Sequence, residues 1–348
     1  MFRPIVHKYL IATLLIGMCM SSLAGAADKP KKSAKKKSPP ANAVLATAQK
    51  KFAHLKAPKK GVTELQEYIR QVRLNRPTSL EEFVVLQLKL RTAATRIIAQ
   101  SKDKKDQAVA SSSALLRSTL PNVVGYLSAE EQRKELKNLV TALSKKKIGP
   151  RDLQLCMMLG RGLEMAESYK IAASTYESFA SIMSKSSSTN IAATAHLFRG
   201  AVERVKLVGG KALPFTGTNL DGSKFDLKAL RGKVVLIDFW ATWCGPCIAE
   251  FPNMKTLYAK YKKQGFEIVG LSIDRDRTSL ESFMKKRKLP WMILHERGEH
   301  PAVRKYGINA IPQMMLVNRK GVVISLSARG KNLELLLEKE FKAKNPKK

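Results

Sequence analysis

The sequence predicts an α + α/β protein, in which an all-helical N-terminal domain precedes a domain of strands and helices with a central mixed sheet. From about Gly61 to Lys206 the apolar residues recur at helical spacing. From about Val208 onward, short apolar runs of strand length alternate with helical stretches in a βαβ and then ββα order. A length of 348 residues fits two domains of this kind.

The composition is that of a globular protein with a large excess of positive charge. Hydrophobic residues make up 44% and charged residues 26% of the chain, which excludes wholesale disorder. The formal net charge is +35, a value that permits nucleic-acid binding. The lysine runs lack interleaved aromatic residues, however, and no nucleic-acid-binding motif is present. No nucleic-acid partner is therefore expected.

Residues 1–26 have the pattern of a secretory signal peptide. Arg3 and Lys8 precede an apolar stretch over 9–20, and Ala24-Gly25-Ala26 provides the small residues of a cleavage site. An uncleaved anchor helix is the alternative, although spanning a bilayer takes about 20 apolar residues. The protein is therefore predicted to be exported to the periplasm or cell envelope, where thiols meet oxidants.

Residues 27–60 are predicted to form a basic disordered linker, because lysine, alanine, proline and serine dominate this segment. Two roles remain open for the linker. It could bind an anionic envelope surface electrostatically, or it could act only as a solubilising spacer.

Residues 61–206 are predicted to form a helical interaction or dimerisation module. Ser79, followed by Glu81 and Glu82, indicates a helix start, and Ser128 and Glu131 have capping-box spacing. A further helix is predicted near 191–206.

Helices over 150–167 and 169–184 loosely resemble one tetratricopeptide unit, because Leu159-Gly160 and Tyr176 lie near that repeat's preferred positions. A solenoid needs about three stacked repeats, and no second copy is evident. Cys156 lies on an apolar helical face and is predicted to be a buried, inert thiol.

The segment 208–348 is predicted to be a separate domain, for which the pattern indicates a hairpin, five further strands and several helices. The hairpin turns on Asp221-Gly222. The strands are predicted at 233–240, 266–273, 292–294, 314–317 and 322–326. The first of these is apolar throughout, as expected for a buried central strand.

The sequence Trp243-Cys244-Gly245-Pro246-Cys247 follows this buried strand and opens a predicted helix. Two intervening residues on a first helical turn bring the two sulfurs within disulfide reach. The helix N-terminus favours a thiolate, so Cys244 is predicted to be the exposed nucleophile. Cys247, one turn further inside, is predicted to resolve the mixed disulfide. Pro246 suits the first turn, where its missing N–H would be unpaired anyway.

Two other roles for the cysteine pair are weighed. A zinc knuckle would need a second Cys/His pair, which Cys156, His295 and His300 do not provide, so neither a metal nor another cofactor is expected. A purely structural disulfide would remove little loop entropy at this short spacing. Redox activity is therefore the favoured interpretation.

The segment from Asp238 to Cys247 resembles the active-site segment of thioredoxins nearly residue for residue, and 208–348 resembles the TlpA/ResA-like thiol–disulfide oxidoreductases. Leu230-Arg231-Gly232-Lys233 before the strand and Glu250-Phe251-Pro252 after the cysteines indicate this branch. The resemblance implies a thioredoxin-like α/β/α domain and a protein-disulfide oxidoreductase with a Cys244–Cys247 redox disulfide. It further implies protein thiol or disulfide clients and a membrane or envelope electron donor. Gly245-Pro246 favours the reductase direction, with cytochrome c maturation as one setting.

The resemblance extends to four further residues. Pro312 matches the cis-proline that lies against the disulfide, and Ile311 would offer its backbone to a docking client strand. Asp238 matches a buried carboxylate, and Glu250 matches an acidic residue three positions after the second cysteine. Either carboxylate would take the proton of Cys247, and the division of labour between them stays open. A plain surface charge is the alternative for Glu250.

Two other functions remain possible from the sequence. The chain could be an envelope binding or adaptor protein, in which the helical domain recognises a partner and the redox domain is an appendage. A peroxiredoxin-type peroxidase is less favoured, because Ala241 occupies the position where that chemistry requires Thr.

Overall fold

A computed structural model describes residues 45–103 and 105–342. The chain divides into two compact units, the first ending at Tyr126 and the second beginning at Leu127. This division differs from the predicted one near residue 207, because the helices between 129 and 206 belong to the same unit as the sheet. The predicted signal peptide, residues 1–26, lies outside the described residues. Among the described residues, no helix has the length and apolar content needed to cross a membrane.

The described part of the first unit, residues 45–126, is helical. Its helices are α1 (Ala46–Lys51), α2 (Val62–Leu74), α3 (Leu80–Gln100) and α4 (Gln107–Val123), followed by a 3-10 turn over Val124–Tyr126. Helix α3 begins where the sequence predicts, because the Ser79 side chain accepts a hydrogen bond from the Glu82 amide. The core between these helices is built from apolar side chains that include Leu65, Val84 and Ile97.

The structure corrects the predicted disordered linker, 27–60, over its second half. Leu45, Ala48 and Phe52 are buried on or beside α1. Arg96 donates hydrogen bonds of 2.7 Å to the carbonyl oxygens of residues 57 and 58. The three apolar residues are spaced by three and four positions, so they line one helical face within a lysine-rich composition. The remainder of the predicted linker, up to residue 44, lies outside the described residues.

The second unit begins with five helices. They are α5 (Ala129–Ser144), α6 (Pro150–Met165), α7 (Tyr169–Ser184), α8 (Thr189–Ala193) and α9 (Ala195–Lys206). The predicted capping box is present at α5, where Ser128 and Glu131 exchange hydrogen bonds. The predicted single helix near 191–206 is instead divided at Thr194. The α6–α7 pair forms as expected, but the tetratricopeptide assignment stays a prediction.

The second unit also holds a five-stranded mixed sheet in the order β5-β4-β3-β6-β7 and a separate β1–β2 hairpin. The strands are β1 (Thr216–Thr218), β2 (Lys224–Asp226), β3 (Val234–Trp240), β4 (Phe266–Ser272), β5 (Met292–His295), β6 (Gln313–Val317) and β7 (Val323–Ser325). Strand β3 runs parallel to β4 and antiparallel to β6. The predicted central mixed sheet and Asp-Gly hairpin are therefore confirmed.

Helices accompany the sheet as a thioredoxin-like fold requires. They are α10 (Gly245–Tyr261), α11 (Arg277–Arg287), α12 (Pro301–Lys305) and α13 (Gly330–Lys342), with 3-10 turns over Leu227–Leu230 and Lys262–Gln264. The short helix α12 was not predicted. Every residue of β3 is buried, so this strand forms the centre of the core, and α10 begins five residues after it ends. The cysteine pair thereby lies at the carboxyl end of the central strand.

A buried ion pair joins the helices of the second unit to the loop before β6. Arg204 of α9 contacts Glu164 of α6 at 2.6 Å, and both side chains are almost fully buried. Tyr176 of α7 donates a hydrogen bond of 2.6 Å to the same carboxylate. Arg204 also donates to the carbonyl oxygens of Tyr306 and Gly307. Helices α6, α7 and α9 are therefore bound to the sheet-containing part of the unit through one charged network.

Two glycines allow the close approach that this network requires. A Cβ atom added to Gly200 of α9 would lie 2.4 Å from the backbone nitrogen of Gly307. Gly307 itself has a φ of +56°, and an added Cβ there would lie 2.2 Å from the carbonyl oxygen of Leu197. The helix and the loop therefore meet backbone to backbone, with no room for a side chain between them.

We expect Arg204→Met to lower the free energy of unfolding by about 3–5 kcal/mol, because it leaves the Glu164 carboxylate buried without its cation. Lys206→Met on the same helix is the matched control, since Lys206 forms a solvent-exposed ion pair with Glu177. That control should cost less than about 1 kcal/mol. Urea unfolding of both variants tests the comparison, and equal losses would contradict the structural role of the buried pair.

Candidate active site

The two cysteines of the predicted motif are joined by a disulfide at the N-terminus of α10. Their Cα atoms lie 5.3 Å apart, and the S–S distance is 1.99 Å. Cys244 is the N-cap residue, and its sulfur accepts a hydrogen bond of 3.2 Å from the Cys247 amide. Pro246 lies in the first turn, as predicted. Once the disulfide is reduced, the same amide and the helix N-terminus favour the thiolate form of Cys244.

The expected exposure of Cys244 needs correction. Its exposed fraction is only 5%, against 0% for Cys247, so it is the more accessible of two nearly covered sulfurs. The cause is that both cysteines pack in an apolar cluster that also contains Met314. Trp243, by contrast, is 67% exposed, and Gly245 and Pro246 also face solvent. The surface around the disulfide is therefore formed by the residues beside the cysteines more than by the cysteines themselves.

Asp274 holds the loop that leads from β3 to Cys244. Its carboxylate accepts hydrogen bonds from the Thr242 amide at 3.0 Å, from the Thr242 hydroxyl at 2.7 Å and from the Ser272 hydroxyl at 2.8 Å. His295 contacts the Asp274 carbonyl oxygen at 2.8 Å. Asp274 was not among the residues predicted from the sequence. Its position in the sequence could have indicated this role. Asp274 directly follows β4, and the carboxyl ends of the parallel strands β3 and β4 lie at the same edge of the sheet, next to the loop that leads to Cys244.

Asp238 is a carboxyl group without a polar partner. It lies in β3, is completely buried, and neither carboxyl oxygen has a hydrogen-bond partner among the described residues. Burial, followed by the negative charge of Glu250, raises the pKa of Asp238 to about 8. Its neighbours in the sheet register are Gly270 and Met314, neither of which has an ionisable side chain. At neutral pH this carboxyl group is therefore largely protonated while the disulfide is closed.

Glu250 has a structural partner that the sequence did not indicate. Its carboxylate accepts a hydrogen bond of 3.1 Å from the amide of Gly330, the first residue of α13. The side chain thus satisfies a backbone N–H at a helix N-terminus, where negative charge is favourable. The negative charge of Glu250 also raises the pKa of Asp238.

The Ile311–Pro312 peptide bond is cis, as predicted from the resemblance. Ile311 packs against the apolar cluster that contains both cysteines. The Pro312 carbonyl oxygen accepts a hydrogen bond of 3.0 Å from Arg161 of α6, and the Gln313 side chain accepts another of 3.1 Å. Arg161 is a second residue that the sequence analysis missed. Nothing in the local pattern of α6 indicates a contact with a residue 151 positions away.

Among the described residues, Cys156 is the one cysteine outside the disulfide. Cys156 is buried and free, and burial raises the pKa of its thiol, as expected of an inert core cysteine. Within residues 45–103 and 105–342, no group of three or more His, Cys, Asp or Glu side chains could hold a metal ion. A mixed sheet with a helix-terminal cysteine pair and a cis-proline defines a thioredoxin-fold protein of thiol–disulfide exchange.

Comparisons with known proteins agree with this class. Residues 207–340 match the redoxin family. The thiol–disulfide oxidoreductase ResA of Bacillus thuringiensis is 34% identical over 139 residues, covering 40% of this chain and 79% of that protein. ResA of Halalkalibacterium halodurans is 31% identical over 130 residues, covering 37% and 73%. A solved thioredoxin domain of a Bacteroides vulgatus thiol–disulfide oxidoreductase is 29% identical, covers 38% of this chain and 97% of that one, and has a TM-score of 0.37.

Through its C-terminal part the chain belongs to the ResA-like family of thiol–disulfide oxidoreductases. It is therefore an enzyme of thiol–disulfide exchange, with the Cys244–Cys247 pair in the matched segment.

We expect Asp238→Asn to remove a pH dependence of stability. The pKa of Asp238 is raised on folding, so the native state holds a proton that the unfolded chain releases above about pH 4. The wild-type protein should thus lose stability as the pH rises to about 8. From pH 5 to pH 8, the wild-type protein should lose about 3–4 kcal/mol of its free energy of unfolding through this group, and Asp238→Asn should not show this loss.

Urea unfolding of the oxidised proteins at both pH values measures this difference. Asp221→Asn is the control, because the pKa of this exposed carboxyl group is lowered and it does not titrate in that interval. Parallel pH profiles for wild type and Asp238→Asn would show that the Asp238 carboxyl group is not protonated near neutral pH.

Proposed function

We propose that this oxidoreductase is exported and exchanges its Cys244–Cys247 pair with the disulfides of client proteins, acting as a reductase. The observation that carries the exchange mechanism is the disulfide at the start of α10, with the Asp238 carboxyl group completely buried in the preceding strand β3. Reductase direction is supported by Gly245-Pro246 between the cysteines, which the reducing thioredoxins share.

The exchange proceeds in two displacements. The Cys244 thiolate attacks one sulfur of the client disulfide, so that a Cys244–client bond forms and the other client sulfur leaves as a thiolate. Cys247 then loses its proton and attacks the Cys244 sulfur, which releases the second client sulfur and closes the Cys244–Cys247 bond. Two electrons pass from the enzyme to the client. An envelope electron donor must reduce the pair again before the next cycle.

Asp238 is the group best suited to move the proton of Cys247. A carboxyl group whose pKa is about 8 is close to the operating pH, so it can both take and return a proton. Its protonated form in the oxidised protein is the state expected after Cys247 has given up its proton. Glu250 is assigned a supporting role, because it already accepts a hydrogen bond from the Gly330 amide. Its charge acts on the exchange through the pKa of Asp238.

The setting of the reaction is proposed from the sequence. The pattern of residues 1–26 supports export, and the net charge of +35 supports contact with an anionic envelope surface. Cytochrome c maturation is the proposed process, because it needs cysteines of a client to be reduced in an oxidising compartment.

We expect Cys247→Ser to accumulate a mixed disulfide between Cys244 and its clients, because the resolving thiol is absent. Cys244→Ser, the matched control, should form none. Non-reducing electrophoresis of the tagged full-length chain, followed by mass spectrometry, identifies the trapped proteins. Equal trapping by the two variants, or trapping through Cys156, would contradict the assigned roles.

We expect Asp238→Asn to slow the closure of the Cys244–Cys247 bond at pH 7 by about 10²-fold, the usual scale for the loss of a positioned proton acceptor. Glu250→Gln should slow it less than about threefold, because it removes a neighbouring charge and not the acceptor. Stopped-flow measurement of mixed-disulfide resolution tests the pair of variants. A larger loss for Glu250→Gln would reverse the assignment.

The reductase direction is tested by the reduction potential of the Cys244–Cys247 pair in equilibrium with glutathione. A reductase should have a potential near that of thioredoxin, about −270 mV. A value near −120 mV, typical of a strong oxidant, would overturn the direction.

A further inference from the structure

Arg161 brings a cation from helix α6 to the cis-proline loop. It donates to the Pro312 carbonyl oxygen at 3.0 Å and to the Gln313 side chain at 3.1 Å. Gln313 is itself fixed by a hydrogen bond of 2.8 Å to the Leu326 carbonyl oxygen. Arg161 lies outside residues 207–340, the part of the chain that matches the redoxin family. Its contact with the loop therefore comes from outside the matched segment.

The helix that carries Arg161 is held firmly on the redox domain. Three residues further along α6, Glu164 forms the buried ion pair with Arg204, and Arg204 binds the loop at Tyr306 and Gly307. A second attachment follows α6, where the Tyr169 hydroxyl accepts a hydrogen bond of 3.2 Å from the Leu326 amide. Arg161 is thus placed by two attachments that do not involve its own side chain.

The positive charge of Arg161 lacks a neutralising carboxylate. In the described part of the chain, no Asp or Glu oxygen lies within ion-pair distance of its guanidinium group. Glu164 favours the charged form of Arg161, but its carboxylate is hydrogen-bonded by Arg204 and Tyr176. Burial, with repulsion from Arg329 and Arg204, lowers the pKa of Arg161. The guanidinium group of Arg161 has five N–H donors and is half-buried. Its hydrogen bonds to the Pro312 carbonyl oxygen and the Gln313 side-chain oxygen use only some of these donors.

Exposed apolar side chains lie on the same face of α6. Met158 and Met165 are three residues before and four residues after Arg161, and their exposed fractions are 38% and 55%. Methionine is flexible and polarizable, which suits surfaces that contact varied partners. On the redox domain itself, Trp243 beside Cys244 is the most exposed large apolar side chain of the active-site segment. Arg161, which contacts the cis-proline loop, is therefore flanked on its own helix by two exposed methionines.

We propose that Arg161 determines client specificity, by selecting substrates that carry an acidic side chain next to the reactive cysteine. This inference rests on the proposed function, in which the client lies along the cis-proline loop. The remaining guanidinium N–H groups can donate to a carboxylate as a charge-assisted pair, in a half-buried place where screening by water is reduced. Met158 and Met165 then provide apolar contact for the flanking client residues.

The test uses two short peptides that differ only in the residue before their single cysteine, Glu in one and Lys in the other. In each peptide the cysteine is capped as a mixed disulfide with nitrothiobenzoate. Full-length protein carrying Cys247→Ser attacks the peptide sulfur through Cys244, which releases the coloured nitrothiobenzoate thiolate. The absorbance change then reports one bond-forming step with no resolving reaction.

We expect the Cys247→Ser protein to react about tenfold faster with the Glu peptide than with the Lys peptide. Adding Arg161→Met should bring this ratio close to one, and adding Arg161→Lys should leave an intermediate ratio, because lysine keeps the charge without the planar fork. Arg151→Met is the matched control, since Arg151 is an exposed cation at the start of the same helix. It should leave the ratio unchanged.

The outcomes separate this inference from the proposed function. Equal rates with the two peptides, or a preference that survives Arg161→Met, would overturn the role of Arg161 while leaving thiol exchange intact. A purely structural role for Arg161 would slow both peptides alike and keep their ratio. No release from either peptide would instead contradict the exchange function. If Arg161→Met does not fold, Arg161→Gln makes the same comparison with a hydrogen-bond donor retained for the Pro312 carbonyl.

Discussion

The complete burial of strand β3 is the constraint on which the rest of the redox domain depends. All seven side chains from Val234 to Trp240 are withdrawn from water, so the strand must be central and covered on both faces. The chain leaves this strand at the sheet's carboxyl edge and starts α10 there, with Cys244 as the N-cap. The same burial removes water from Asp238, whose carboxyl group is thereby kept neutral. One strand thus sets both the point at which α10 and its cysteine pair begin and the environment of the Asp238 carboxyl group.

Features that depend on local chemistry could be predicted from the sequence. The strand limits near 234–240 and 266–272, the hairpin on Asp221-Gly222 and the capping box at Ser128 agree with the structure. Each follows from side-chain periodicity or from a backbone preference of a few residues. The disulfide and the cis bond before Pro312 were also predicted, but through a family resemblance, because neither composition nor periodicity specifies them.

Features that depend on distant contacts could not be predicted. The contacts of Arg161 with Pro312 and of Arg204 with Gly307 join residues more than 100 positions apart, and a basic residue on a helix gives no sign of its partner. Glu250 could be predicted as acidic, but its hydrogen bond to Gly330 depends on how α10 and α13 pack. Helix α1 was missed for another reason. The lysine-rich composition of this segment indicated disorder, although three apolar residues, among them Leu45 and Phe52, are buried on or beside the helix.

The contact between Gly200 and Gly307 limits how this protein could be divided or recombined. Two backbones touch there without side chains, so neither position admits even an alanine unless the helix moves away from the loop. A fragment starting at residue 208 would uncover that loop and leave the carbonyl oxygens of Tyr306 and Gly307 without the Arg204 side chain. The part of the chain that keeps this loop covered therefore extends beyond residues 207–340 and includes α9. An exchange of redox domains between homologues would have to carry α9 along with the sheet.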